Sequence, residues 1–265
     1  MREVIGFDCD GDRLAGTLDH AEGHTGLLIV SGGNEIRIGA HRGMALLAQR
    51  VAAAGYPVLR YDRRGIGDSA GENCGFTNSA DDIAAAARTF RQALPVERIV
   101  GFGNCDAATA LALFHQRAGI DALLLANPWV IEGDNDLPPP AAIRARYAER
   151  LRDPRQWLRL ARGGVSINKV IKGLKRSAKS SSAHNSLAND MAATLASSDA
   201  PTTILLAERD NTAIVFREAF GQSTFVPVRE RVEIAVRQTA SHSFAREGDA
   251  DWLFDRAIEA LQTPR

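Results

Sequence analysis

The chain has 265 residues, 45% of them hydrophobic, and its 32 Lys plus Arg balance 32 Asp plus Glu to a formal net charge of zero. That length suits one large α/β domain with room for an insertion. The charge balance argues against nucleic acid or an anionic membrane as a general partner.

The start, MREVIGFDCD, carries acids and no long apolar run, so no secretory signal is expected. Glu3–Asp10 alternates and Arg13–Asp19 answers it across Asp10-Gly11-Asp12, the pattern of a hairpin. From there short apolar runs alternate with helical patterns, as βαβ units around a buried parallel sheet require. Gly26–Val30 reads as a strand ending in Ser31-Gly32-Gly33, and Met44–Ala54 as a helix closed by Gly55. Pro57–Tyr61 is the next strand, followed by the loop DRRGIGDSAGE and a helix near Ser79–Leu94. Arg98–Phe102 is a strand, Asp106–Gln116 an Ala-rich helix and Ala122–Ala126 another strand. The stretch Ala122–Ile131 contains Asn127 and Pro128 and is too short for a transmembrane segment. Thr202–Ala207 and Glu233–Arg237 are the last two strands, and Asp249–Leu261 is a terminal helix.

Residues 129–200 break this alternation with a helical pattern and a Ser-rich tract at Ser177–Ser186, as an inserted helical cap would. The core is then 1–128 together with 201–265. Arg144–Lys179 holds twelve Lys or Arg against two acids, a local excess of ten that the rest of the chain balances. This is either a solvated helical face or a positive rim that steers an anionic substrate or partner.

The chemistry centres on GFGNCDAATA, residues 101–110. The strand–turn–helix context around Cys105 is that of a nucleophile elbow, normally G-x-S-x-G, here with a thiol and with Ala107 at the second Gly. Small flanking residues are needed because the central residue is forced into an unfavourable backbone conformation. Asp210 follows an apolar strand at the carboxyl edge of the sheet, where such folds collect functional groups. It also suits a helix N-cap. His242 lies between the last strand and the last helix, unlike His20, His24, His41, His115 and His184. Nucleophile, acid and base in that order are the order of the α/β-hydrolase fold. A Cys105–His242–Asp210 triad follows, with His242 taking the thiol proton and Asp210 orienting the ring. An oxyanion hole needs two backbone N–H donors. Asp106 supplies one, and either Gly33 or Asn34 supplies the other. Arg37, His41 and Arg42 either contact an anionic acyl group or cap the helix that follows, while Asp62 and Arg64 suit a structural brace.

With these residues in place, the whole chain resembles the α/β-hydrolase superfamily: a mostly parallel twisted sheet flanked by helices, with a helical cap insertion. DRRGIGDSAG is similar to the D-x-R-G-x-G-x-S-x-G segment common in its esterases and acyltransferases. More narrowly, FDCDGDRLAGTL, SGGNEIRIGAHRG and GNCDAATALALF resemble the exosortase A system-associated hydrolase 1 family. In that family the elbow is typically G-x-C-D-x-A, and members occur in bacterial gene clusters for exopolysaccharide production and exosortase-dependent sorting.

A helix N-terminus and an imidazolium both favour a thiolate at Cys105, whereas the neighbouring Asp106 carboxylate opposes it. Attack on a carbonyl would give an acyl-thioester enzyme, so hydrolysis of an ester or thioester is expected. The substrate would be a small-molecule or carrier-borne acyl group, anionic if the basic stretch recognises it. Acyl transfer by the same triad is one alternative, and a non-catalytic binding or scaffold role is another. Cys9, Cys74 and Cys105 form neither a metal-ligand spacing nor an even disulfide set, which fits a reducing cytoplasm and calls for no metal or cofactor.

Overall fold

The computed structural model describes residues 1–131 and 186–264. Most of the expected 129–200 insertion, including the basic stretch Arg144–Lys179, lies outside the described residues. Strands β1 (Arg2–Cys9) and β2 (Asp12–Asp19) form the opening hairpin. They are followed by β3 (Thr25–Val30), α1 (Gly43–Ala53), β4 (Val58–Tyr61), α2 (Ala80–Ala93), β5 (Arg98–Asn104), α3 (Asp106–Ala118) and β6 (Ala122–Ala126). After the undescribed stretch come α4 (Ser186–Ala196), β7 (Thr202–Ala207), α5 (Asn211–Phe220), α6 (Val226–Arg229), β8 (Val232–Arg237) and α7 (Asp249–Gln262).

The eight strands form one sheet in the order β1-β2-β4-β3-β5-β6-β7-β8. β2 pairs antiparallel with both β1 and β4, and every other pairing is parallel. The central strands are buried on both faces, which is why they read as unbroken apolar runs. In β3 the alternation sends Leu28 and Val30 to one core and Leu27 and Ile29 to the other. In β6 it sends Leu123 and Leu125 one way and Ala122, Leu124 and Ala126 the other.

Helices α2, α3 and α4 cover the first face, with Ile83, Phe90, Leu111, Met191 and Leu195 buried there. Helices α1 and α7 cover the second with Leu47, Val51, Leu253 and Leu261. Each such side chain contributes roughly 1.5–3 kcal/mol by leaving water. Helix α4 falls in the C-terminal part of the expected 129–200 insertion. It buries Leu187, Ala188, Met191, Ala192 and Leu195 in the same layer as α3. Among the described residues, no helix is long and apolar enough to cross a membrane.

The strand ends position the chemistry. β5 runs two residues beyond its expected end because Gly103 and Asn104 keep pairing with Leu125 and Ala126. The chain therefore turns sharply at Cys105 and enters α3 at once. α3 can lie close to the sheet because Ala107, Ala108, Ala110 and Ala112 face the core with no bulk.

Candidate active site

Cys105 has φ 63° and ψ −125°, a strained conformation for a residue with a Cβ. Its N–H donates to the Ala126 carbonyl at 2.9 Å, and its carbonyl accepts from Ala108 and Trp129, each at 3.2 Å. The turn is thus over-determined by its neighbours. Gly103 explains the small residue before it: a Cβ there would stand 2.7–2.9 Å from the backbone of Ala107 and Ala108. Ala107, at the position usually held by Gly, is fully buried. The one extra methyl is absorbed in the core.

Asp210 and His242 are brought together. His242 Nδ1 donates to Asp210 Oδ2 at 3.0 Å. The same oxygen caps α5 by accepting from the Thr212 and Ala213 N–H groups at 3.0 and 3.2 Å. Helix cap and histidine partner are therefore one carboxylate serving both ends. The Asp210 side chain is 11% exposed and that of His242 39%, so the pair is anchored at the acid and open at the ring.

Burial disfavours charge on His242. The hydrogen bond and negative charge of Asp210, with a further contribution from Cys105, outweigh burial and raise its pKa to about 10. At Asp210, burial likewise opposes ionisation. The His242 hydrogen bond and charge, with the Ala213 and Thr212 N–H groups, still bring its pKa below the usual carboxylate value. Near neutral pH the pair is carboxylate and imidazolium. Phe244, buried with φ 52°, fastens the His242 loop by stacking on Trp252 at 5.4 Å. Behind it, Thr239 donates to Asp249 at 2.6 Å, and Arg237 pairs with the same carboxylate at 2.9 Å.

One residue that the motif reading does not single out joins these segments. Asn127 is fully buried at the end of β6, with φ 42°. Its Nδ2 donates to Asn104 Oδ1 at 3.1 Å and to the His242 carbonyl at 3.0 Å. Its Oδ1 accepts from the Ala207 N–H at 2.8 Å. One amide thereby ties the residue before Cys105, the end of the strand before Asp210, and His242. The signal in the sequence is a polar residue, followed by Pro128, closing the run ALLLA.

On the opposite flank lies the loop after β3. The Gly33 N–H, one of the two candidates for the second oxyanion donor, donates to Asp106 Oδ1 at 2.6 Å. Asn34 is held by its side chain, whose Oδ1 accepts from Asn73 at 2.9 Å. Among the described residues, the Asn34 and Asp106 N–H groups have no backbone acceptor. Asp62 is fully buried and accepts from the Arg37 N–H and guanidinium and from the Asp68 N–H. Arg64 is bound by Asp82 at 2.6 Å. Asp62 and Arg64 thus brace their loop, and Arg37 is engaged in the same brace. His41 and Arg42 sit at the turn into α1 with φ 53° and 62°, and neither side chain caps that helix. Among the described residues, no cluster of His, Cys, Asp and Glu is arranged to hold a metal ion.

The fold is shared with known hydrolases. The esterase Pf2001 of Pyrococcus furiosus superposes with a TM-score of 0.65 at 16% identity, over 99% of this chain and 92% of that one. The α/β hydrolase GrgF of Penicillium sp. sh18 gives 0.67 at 20%, over 99% and 98%. A thioesterase domain from the curacin biosynthetic pathway gives 0.61 at 14%, over 97% and 99%. No curated protein matches by sequence. The profile of the serine aminopeptidase S33 family matches residues 26–198, from β3 through the Cys105 turn to the end of α4. On that match, which spans well over half of its length, the chain belongs to the serine aminopeptidase S33 family of α/β hydrolases.

Proposed function

We propose that this α/β hydrolase cleaves an ester or thioester through Cys105, with His242 as acid and base and Asp210 as the group that orients it. The observation that carries the reading is the 3.0 Å bond from His242 Nδ1 to Asp210, in a pair that the Asn127 amide ties to the residue before Cys105. With Nδ1 committed to the carboxylate, Nε2 is the nitrogen that serves the thiol.

The raised pKa of His242, about 10, bears on the choice of nucleophile. An imidazolium cannot take a proton from a hydroxyl, but it stabilises a thiolate beside it. The protonated ring therefore suits Cys105 where the family name specifies serine. The Cys105 thiolate attacks the carbonyl carbon, and the carbonyl π electrons move onto oxygen. Backbone N–H groups of Asp106 and of the Gly33–Asn34 loop receive that oxyanion. As the tetrahedral centre collapses, the bond to the leaving alkoxide or thiolate breaks and His242 gives that group its proton. Neutral His242 then takes a proton from water, the hydroxide attacks the acyl-thioester, and Cys105 leaves as thiolate beside a reprotonated ring.

A thioester donor makes the first step an exchange of like for like, and the curacin thioesterase domain shows the fold accommodating an enzyme of that name. The excess of twelve basic residues over two acids in Arg144–Lys179 favours an anionic donor. The link to exopolysaccharide and exosortase systems rests on the resemblance of the FDCDGDRLAGTL, SGGNEIRIGAHRG and GNCDAATALALF segments.

Intact mass of the protein after incubation with a short acyl thioester tests the reading. The expected result is one acyl adduct on the wild type and none on Cys105→Ala. No adduct on the wild type, or an equal adduct on the variant, would overturn it. Decay of the adduct in water alone identifies a hydrolase, and decay only with an added alcohol or amine identifies an acyltransferase.

A further inference from the structure

Gly33 is held at both of its polar backbone atoms. Its N–H donates to Asp106 Oδ1 at 2.6 Å, and its carbonyl accepts from Arg63 Nη2. Arg63 Nη2 also stands 3.8 Å from Asp106 Oδ2, which closes a triangle between the loop after β3, the loop after β4 and the first residue of α3. The Arg63 side chain is 5% exposed and that of Asp106 14%. The two side chains are largely out of water, while Gly33 itself is exposed, and charge on the donor or acceptor strengthens each contact.

The neighbouring residues fit the same arrangement. Gly33 has φ 56° and open space where a Cβ would stand, so its left-handed backbone is what calls for glycine. Gly32 has no such freedom: a Cβ there would strike the Asn104 carbonyl and come within 2.7 Å of Asp106 Oδ1. Asn34 is drawn towards Asn73 by its side chain, which leaves its backbone N–H unused among the described residues.

We infer that Asp106, braced by Arg63, is a positioning residue that fixes the oxyanion loop against the Cys105 turn, so that Asn34 supplies the loop's free N–H donor. The inference rests on the acyl-transfer chemistry proposed above and assigns the work within it. The Asp106 backbone N–H faces the developing oxyanion, while its side chain acts only through Gly33. This also accounts for a carboxylate beside a nucleophilic thiolate, a placement that is otherwise unfavourable. Its charge is directed into a backbone N–H and a guanidinium.

Two reactions of the same sulfur separate this role from general structural damage. Alkylation by iodoacetamide makes no oxyanion, whereas acylation by p-nitrophenyl acetate does. Asp106→Ala is expected to slow acylation by about 10²-fold, the usual loss for one oxyanion donor, mainly in kcat rather than KM. Alkylation should be no slower than in the wild type, because a nearby negative charge has gone. Asp106→Asn keeps an acceptor oxygen for Gly33 and is expected to restore most of the acylation rate. Arg63→Gln, which loosens the brace at a distance from the sulfur, should give the same split in weaker form. It also serves as the second variant should Asp106→Ala fail to fold. Acylation in Asp106→Ala as fast as or faster than wild type would overturn the inference, as would a parallel fall in both reactions. A wild type that alkylates but never acylates would refute the proposed function itself, and this inference with it.

Discussion

The two flanks of the Cys105 turn are built on different principles. On one side, side chains face each other: the Asp210 carboxylate holds the His242 ring at 3.0 Å, and the Asn127 amide ties down the segments that carry them. On the other, side chains hold backbone: Asp106 and Arg63 grip the N–H and carbonyl of Gly33. The first flank sets a protonation state and the second sets the position of neutral dipoles. A substitution on the first should change how rate responds to pH. One on the second should change kcat with the titration intact.

The sharpest way to break that contrast is at the acid. Asp210→Asn removes the charge that keeps the ring protonated and correctly oriented, and is expected to lower kcat by up to about 10⁴-fold. Steady-state kinetics on a short acyl thioester check this, and a loss under tenfold would place the ring's orientation elsewhere. On the opposite flank, Gly32→Ala pushes a methyl into the Asn104 carbonyl and Asp106 Oδ1. The expected loss is about 10²-fold in kcat, with the pH profile keeping its shape. An unchanged kcat would show that the loop is not held where this account puts it.

The next effect is on stability. Asn127→Ala leaves the Ala207 N–H and the His242 carbonyl without their partner in a buried place. Such unsatisfied groups cost about 1–3 kcal/mol, to be read from urea melts. A further effect is the dependence of stability on pH. His242 titrates higher in the folded chain, about 10, than its ordinary 6.5. Its contribution is therefore fully present below 6.5 and is lost as pH rises through about 10. Asp210 titrates lower than its ordinary 3.8, so its contribution is present above 3.8 and is lost as pH falls through its depressed value. Melts of wild type and His242→Gln across the alkaline range should converge as pH approaches that upper value. Parallel curves would contradict the raised value.

The same contrast explains what could be read from the sequence. Ala122–Ala126 and Thr202–Ala207 are strands with the expected bounds, because burial on both faces leaves an unmistakable apolar run. Cys105, Asp210 and His242 could be proposed from the sequence because their residue types carry the chemistry and their order follows the strands, and the structure pairs the last two. Backbone donors offer no such signal, since nearly every residue has an N–H. Gly33 and Asn34 are separated only by the contact with Asp106, 73 residues away from Gly33. Arg63 and Asn127 were illegible for a related reason, as their roles consist of contacts with distant segments. Asp210 is instructive in another way: helix cap and histidine partner looked like competing readings, yet one oxygen does both.

The account turns on whether His242 controls the reactivity of Cys105. The rate of Cys105 alkylation by iodoacetamide, followed by intact mass across the neutral range in wild type and His242→Ala, tests this most directly. The account predicts that the variant reacts at least about tenfold more slowly near pH 7, because the imidazolium that favours the thiolate has gone. Equal rates in the two proteins would contradict it.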